Sequence, residues 1–302
     1  MPQDYLLIAV DSKKQFAIRF LWLKHGVESS LALKKPPPSL ATPYAEFLLA
    51  SVLLGSRSED KESVLYKLHL LPSHLRINCE VNPLGAFRSA LFPQESLQAF
   101  DGALKGQLQV AILNKKDQVY SSVLEISNGV PQTFEGYLTQ SVQTASILRI
   151  HANTEYPNKN YALWIERLPQ ISSEVGESDH EPNQVGLSGD TTSSNDWSSL
   201  IERFSQKDFF ERSFQETDDP DLILGDLLPF PFRILAVIKP RITCSCTLEA
   251  FERAIASLPR EEVLELWMDS KPIESRCDYC GKLWTLDKKT IEPWLQTNSN
   301  VQ

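Results

Sequence analysis

Residues 241–247 read Arg-Ile-Thr-Cys-Ser-Cys-Thr, and residues 276–282 read Arg-Cys-Asp-Tyr-Cys-Gly-Lys. Two close pairs, Cys244 with Cys246 and Cys277 with Cys280, are thus separated by 30 residues. Each pair offers two sulfurs from one turn, and a fold that brings the turns together makes a tetrahedral thiolate site, for which zinc (Zn2+) is the expected metal. Gly281 lets the backbone turn so that amides point at the sulfurs. Four thiolates around Zn2+ leave the centre formally dianionic, and Arg241, Arg276 and Lys282 stand beside the ligands in sequence to offset that charge and favour thiolate over thiol.

The residues around the pairs read as a small mixed unit. Thr247 is placed to cap a helix carrying Leu248, Phe251, Ile255 and Leu258 on one face, and Pro259 to open a second helix through Met268. Ile273 to Arg276 and Lys282 to Leu286 are expected to form a hairpin around the second pair, with Asp287 capping a last helix to Leu295. A unit of this size has a marginal core, so the metal is expected to hold it together. Three readings compete for the thiols: a structural zinc, a redox switch built on the zinc site, and a thioredoxin-like dithiol. The last requires its CxxC at a helix N-terminus, whereas here it leads into a strand.

Upstream, residues 172–199 are rich in Ser, Thr, Gly, Asp, Glu and Asn, the composition of a flexible linker with little fixed structure. Residues 174–226 hold 14 acidic and three basic residues, a net of −11, against −9 for the whole chain, so the acidity belongs to this segment. Its second half turns apolar. Trp197, Leu200, Ile201 and Phe204 follow helical spacing, then come Phe209, Phe210 and Phe214, and then Leu224 and Leu227 after Asp218-Asp219-Pro220, a helix-start pattern. Helices this short persist only by docking, which makes the segment a candidate for release.

Further upstream, Tyr5 to Val10, Val64 to Leu70, Leu75 to Val81 and Gln107 to Leu113 read as strands. Ala41 to Leu54 reads as a helix with Tyr44, Phe47, Leu48 and Val52 on one face. Strands outnumber helices, which predicts an α+β fold rather than a doubly wound sheet. The expected organisation is an α+β core domain over 1–173, a linker that is partly disordered and then helical over 174–231, and a zinc-binding domain over 232–302.

Composition removes several functions. Of the 302 residues 42% are hydrophobic and 23% charged, as in folded proteins. Five cysteines are too few for a disulfide scaffold, Cys79 reads as a small buried hydrophobe, and the five histidines show no ligand spacing. The longest apolar run, Phe47 to Gly55, is far too short for a membrane span, and with no basic leader the chain reads as a cytoplasmic protein. No phosphate loop, GxSxG or HExxH pattern occurs, so neither nucleotide nor enzymatic activity is expected. A pI near 5.2 counts against nucleic acid as a partner.

Together these features resemble the redox-regulated holdase chaperones of the heat shock protein 33 family. The resemblance rests on Ile242-Thr-Cys-Ser-Cys-Thr, Cys277-Asp-Tyr-Cys-Gly-Lys and Leu286-Asp287. It extends to Gly85-Ala-Phe-Arg88 with Pro93, to Ser141-Val-Gln-Thr144, where Val142 stands for the motif's Glu, and to Leu168-Pro169. It implies a chaperone that is inactive when reduced and zinc-bound. Oxidation would join Cys244 to Cys246 and Cys277 to Cys280, eject zinc, unfold the linker and free surfaces that hold unfolding client proteins, usually as a homodimer in the stressed cell. The client contacts would be the linker faces named above, from Trp197 to Leu227, or the core surface they cover. The alternative is a structural-zinc protein that binds RNA or ribosomes without a switch.

Overall fold

The computed structural model describes residues 4–58, 62–98, 100–114, 118–126, 128–156, 159–169, 191–206, 209–212, 219–268, 272–287 and 289–290. The chain opens with the hairpin β1 (Tyr5–Asp11) and β2 (Phe16–Trp22), followed by α1 (Lys24–Lys34) and α2 (Pro38–Gly55). Then come β3 (Ser63–Leu70), β4 (Leu75–Val81), β5 (Ala86–Phe92), β6 (Gly106–Leu113) and β7 (Gln118–Glu125). After α3 (Val130–Tyr137), which runs into a π-helical turn at Leu138–Val142, β8 (Ser146–His151) and β9 (Tyr161–Arg167) complete the N-terminal part. The linker carries α4 (Thr191–Ser205), α5 (Phe209–Arg212) and α6 (Pro220–Leu227). The C-terminal part holds β10 (Phe232–Ile238), β11 (Arg241–Ile242), α7 (Leu248–Ala256), α8 (Arg260–Met268), β12 (Ile273–Arg276) and β13 (Leu283–Leu286).

Two sheets, ordered β10-β1-β2-β9-β8 and β11-β5-β4-β3-β6-β7, enclose a helical layer. All their pairings are antiparallel except β11 with β5, so the fold is α+β as the sequence predicts. The hydrophobic helix α2 lies in that layer and is buried on nearly every side rather than along one face: Ala45, Leu49, Ala50 and Leu53 are as inaccessible as Tyr44, Phe47, Leu48 and Val52. A helix apolar all round is one enclosed all round. Cys79 is buried in β4, where burial pushes its thiol up, and serves as core packing.

Glu46 is the exception on α2. Burial alone pushes its carboxyl up to about 7 from 4.5. The folded state therefore holds this proton more tightly than the unfolded chain, and the group's contribution falls as pH rises from 4.5 through 7. Replacing Glu46 by Gln is expected to raise stability by about 1–3 kcal/mol at pH 8 and to leave it unchanged near pH 4. Denaturant titrations at the two pH values check both halves.

The five-stranded sheet is covered on both faces. In β9, Ala162 and Trp164 point into the helical layer, while Tyr161, Leu163 and Ile165 join Phe16, Ile18, Phe20 and Trp22 of β2 in a second cluster. A strand buried on both faces reads as a continuous apolar run, and Tyr-Ala-Leu-Trp-Ile is one.

Two expectations need correction here. Residues 191–199, expected to lack fixed structure, form most of α4. Once Leu200 and Phe204 dock, extending a helix toward its N-terminus costs little, because the nucleus already exists. Residues 232–238, grouped by sequence with the zinc-binding unit, form β10 and pair with β1 from Leu6↔Ile238 to Asp11↔Phe232. That strand is an alternating edge strand, which local sequence cannot assign to one neighbour over another. The linker faces pack on the core sheet: among the described residues, the cluster they join contains none from 241–287. Residues 172–190, Phe214 and Asp218 lie outside the described residues, as does the helix expected to reach Leu295 beyond its first turn.

Candidate functional site

The CxC turn leaves the core through β11. Arg241 N–H donates to Gly85 O (3.0 Å) and Thr243 N–H to Phe87 O (2.8 Å), which aligns Cys244 beside β5. Thr247 then caps α7, its Oγ1 accepting from Ala250 N–H at 3.1 Å, as its sequence position requires. The CxxC turn is held by the β12–β13 hairpin, paired from Ile273↔Leu286 to Arg276↔Leu283. Inside the turn, Gly281 adopts φ +72 and donates to Cys277 O at 2.8 Å, and Cys277 N–H donates to Lys282 O at 2.9 Å. A side chain at Gly281 would meet Leu33 of α1 at 2.9 Å as well as strain the backbone.

The fold brings all four sulfurs within 4.8 Å of one another. Cys244 Sγ lies 3.7 Å from Cys277 Sγ, and Cys246 Sγ 3.4 Å from Cys280 Sγ. Sulfurs ~2.3 Å from a common tetrahedral centre stand about 3.8 Å apart, so the set fits one metal ion. Without a cation the crowding opposes ionisation. The Cys246 thiol is pushed up to about 12, by desolvation first and then by the Cys280 and Cys244 sulfurs. A bound divalent cation inverts that preference. Among the described residues, the unit around the turns has Val263, Ile273 and Leu286 as its buried apolar centre, with Leu248, Phe251, Ile255, Leu258 and Leu266 packed against them.

Two of the cations expected beside the sulfurs, Arg276 and Lys282, make contacts away from them. Arg276 donates from Nη1 to Gly281 O (2.8 Å), and Lys282 Nζ lies 3.8 Å from the centre of the Trp284 ring. The cation buried at the site is Lys34, at the end of α1, which donates to Asp278 O and, at 2.7 Å, to Tyr279 O. Arg88 lies over the Tyr279 ring at 4.4 Å and donates to Ser245 Oγ at 3.2 Å, its guanidinium held by Glu80 at 2.6 Å. Arg88 carries a local signal, its place after Gly85-Ala-Phe. Lys34 carries none, because its role depends on a contact more than 240 residues away in the chain.

The linker residues divide clearly. Leu200, Phe204, Phe210, Leu224 and Leu227 are buried against the five-stranded sheet, and Trp197 and Phe209 pack at the margin. Trp197 stacks on Phe16 at 5.8 Å and Phe210 meets Tyr161 edge-on at 5.6 Å. Ile201, read as part of the same face, is 46% exposed, because the docked stripe of α4 runs through 197, 200 and 204. Polar contacts fasten the cover. Lys13 pairs with Asp196 (2.8 Å), Arg149 donates to Phe204 O (2.9 Å), and His151 Nδ1 lies 3.2 Å from Glu211.

Among the described residues no helix is long and apolar enough to cross a membrane. The family model "Hsp33 protein" matches residues 4–287. The chain is 23% identical over 269 residues to the 33 kDa chaperonin of Geobacter sp. (strain M21), covering 84% of each. It is 42% identical to that of Lachnoclostridium phytofermentans over 63 residues, a match spanning 20% of this chain and 22% of the relative. The crystal structure of the 33 kDa chaperonin from Thermotoga maritima superposes with a TM-score of 0.78 at 12% identity, covering 99% of this chain and all of that one, which shows a shared fold.

Proposed function

Because the chain belongs to the Hsp33 family of chaperones, we propose that it is a redox-regulated holdase. Its C-terminal unit is locked by zinc when reduced and opens on oxidation. The observation that carries this reading is the cover on the five-stranded sheet: an aromatic-rich face closed by short helices of a segment with net charge −11. Zinc held by Cys244, Cys246, Cys277 and Cys280 would crosslink two turns that the small surrounding core cannot hold alone.

A peroxide that takes two electrons from one cysteine pair leaves a disulfide within that pair and departs as two waters, its extra protons drawn from solvent. Repeated at the second pair, the reaction turns four thiolates into two neutral disulfides and removes the ligand set. Loops of three and four residues closed by disulfides contribute only about 2 kcal/mol each, against ~10–16 kcal/mol for a structural zinc. Oxidation therefore cannot replace the metal.

The linker makes its apolar contacts with the sheet, so loss of the C-terminal unit reaches it through β10. That edge strand joins Phe230, stacked on Phe16 at 5.3 Å, to β11 and Cys244, and its Leu235 and Val237 are 54% and 58% exposed. β10 is held along one side only, by β1, so once β11 is freed its C-terminal end is no longer anchored and its peeling pulls on α6. The exposed sheet and helix faces then take up unfolding clients in the cytoplasm, with the oxidised protein pairing as a homodimer.

The test is to treat zinc-loaded protein with peroxide at mild heat while following zinc release, thiol loss and aggregation of a thermally unfolding client. Loss of zinc and thiols together with suppressed aggregation is expected. Zinc release without suppression rejects the holdase, and zinc retained through oxidation rejects the switch.

A further inference from the structure

We propose that Lys34 and Arg88 are positioning residues that clamp the two cysteine turns to the core, and that Lys34 makes this clamp sensitive to the charge of the sulfur centre. The inference rests on the reading of the four thiolates as a metal site and concerns how that site is tied to the rest of the chain.

Each turn is gripped at the residues between its cysteines. Ser245, inside the CxC pair, accepts from Arg88, whereas Asp278 and Tyr279, inside the CxxC pair, offer their carbonyls to Lys34 and the Tyr279 ring to Arg88. The two cations are not equivalent. Arg88 has its own counter-ion in Glu80. The Lys34 residue is only 6% exposed, and its partners among the described residues are neutral carbonyls.

A buried ammonium with neutral acceptors alone is costly unless a nearby anion compensates it. Burial opposes its charged form, and the Cys277 sulfur, the Asp278 carboxylate and the Cys280 and Cys244 sulfurs, in that order, are close enough to favour it. With four thiolates around Zn2+ the centre is dianionic, and Lys34 is its buried counter-ion. With two disulfides and no metal the centre is neutral, and Lys34 loses the thiolate charge and keeps only that of the Asp278 carboxylate. Contacts that hold the reduced unit in place thus disfavour docking of the oxidised one. Because the clamp grips residues inside both pairs, a disulfide in either pair also reshapes the turn it holds.

The probe is amide exchange at Arg241 and Thr243, whose N–H groups bond to Gly85 and Phe87 of the core, measured alongside zinc transfer to a chromophoric chelator in reduced full-length protein. In Lys34→Met these amides are expected to exchange about ten- to a hundred-fold faster than in wild type, the effect of losing charge-assisted hydrogen bonds. Zinc transfer should quicken by a similar factor. The amides of β3 and β6 should be unchanged. Lys34→Arg, which keeps the charge, should recover part of the protection, and Arg88→Lys should give a smaller loss.

Wild-type exchange at Arg241 and Thr243 in Lys34→Met overturns the clamp, as does loss of β3 and β6 protection, which would make Lys34 a general core residue. Equal behaviour of the Met and Arg variants overturns the charge dependence. If wild-type protein binds no zinc, the metal reading fails by itself, since amide exchange still reports whether Lys34 holds the turn.

Discussion

Stripping the metal from reduced protein with a strong chelator is expected to melt residues 241–287 while the sheets of residues 5–167 stay folded. Among its described residues the C-terminal unit has three buried apolar side chains at its centre, with five more partly buried around them. A structural zinc contributes on the order of 10–16 kcal/mol, as much as the whole ~5–15 kcal/mol stability of an ordinary domain, and a unit this small depends on such a contribution. Amides of the β12–β13 hairpin should lose nearly all protection on chelation and regain it when zinc is restored. Those of β3 and β4, in a core that shares no apolar cluster with this unit, should not change. A hairpin that stays protected without metal would show that zinc does not hold the unit closed, and the proposed switch would lose its trigger.

What the sequence discloses follows from the range of the interactions involved. The cysteine turns are local: CxC, CxxC-Gly and the Thr247 cap announce their geometry within a few residues, and the four sulfurs meet as expected. The alternating strands β3, β4 and β6 are equally legible. β9 carries a weaker strand signal, because a run buried on both faces loses the period of two that identifies strands. The polar N-terminal half of α4 reads as linker since its helicity is imposed by docking further along, and Ile201 reads as core because hydrophobic spacing does not say where the docked stripe ends. The assignment of β10 to the core sheet and the burial of Lys34 are set by partners more than 200 residues away, beyond any local signal.

Leu224→Asp is expected to open the linker in fully reduced, zinc-bound protein. Leu224 is completely buried between α6 and the five-stranded sheet, next to Ile223, Leu227 and Leu228. Losing that side chain alone costs about 2–5 kcal/mol, and an unpaired carboxylate in its place adds a desolvation penalty of the same order. α6 has eight residues, too few to persist as a helix once its face leaves the sheet, and the substitution adds one more negative charge to an already repelling segment. The uncovered surface would include Phe16, Phe20, Tyr161 and Leu163, an aromatic patch large enough to bind a hydrophobic dye or an unfolding chain. Dye binding and suppression of client aggregation should therefore appear without oxidant, with one zinc still bound per chain. Ile201→Asp supplies the contrast. It makes the same chemical change in the same linker at a side chain already in solvent, and should leave both readouts at the reduced wild-type level. If Leu224→Asp binds dye but holds no client, the covered sheet face is not the client surface. If it does neither, release of the linker is not what activates the protein.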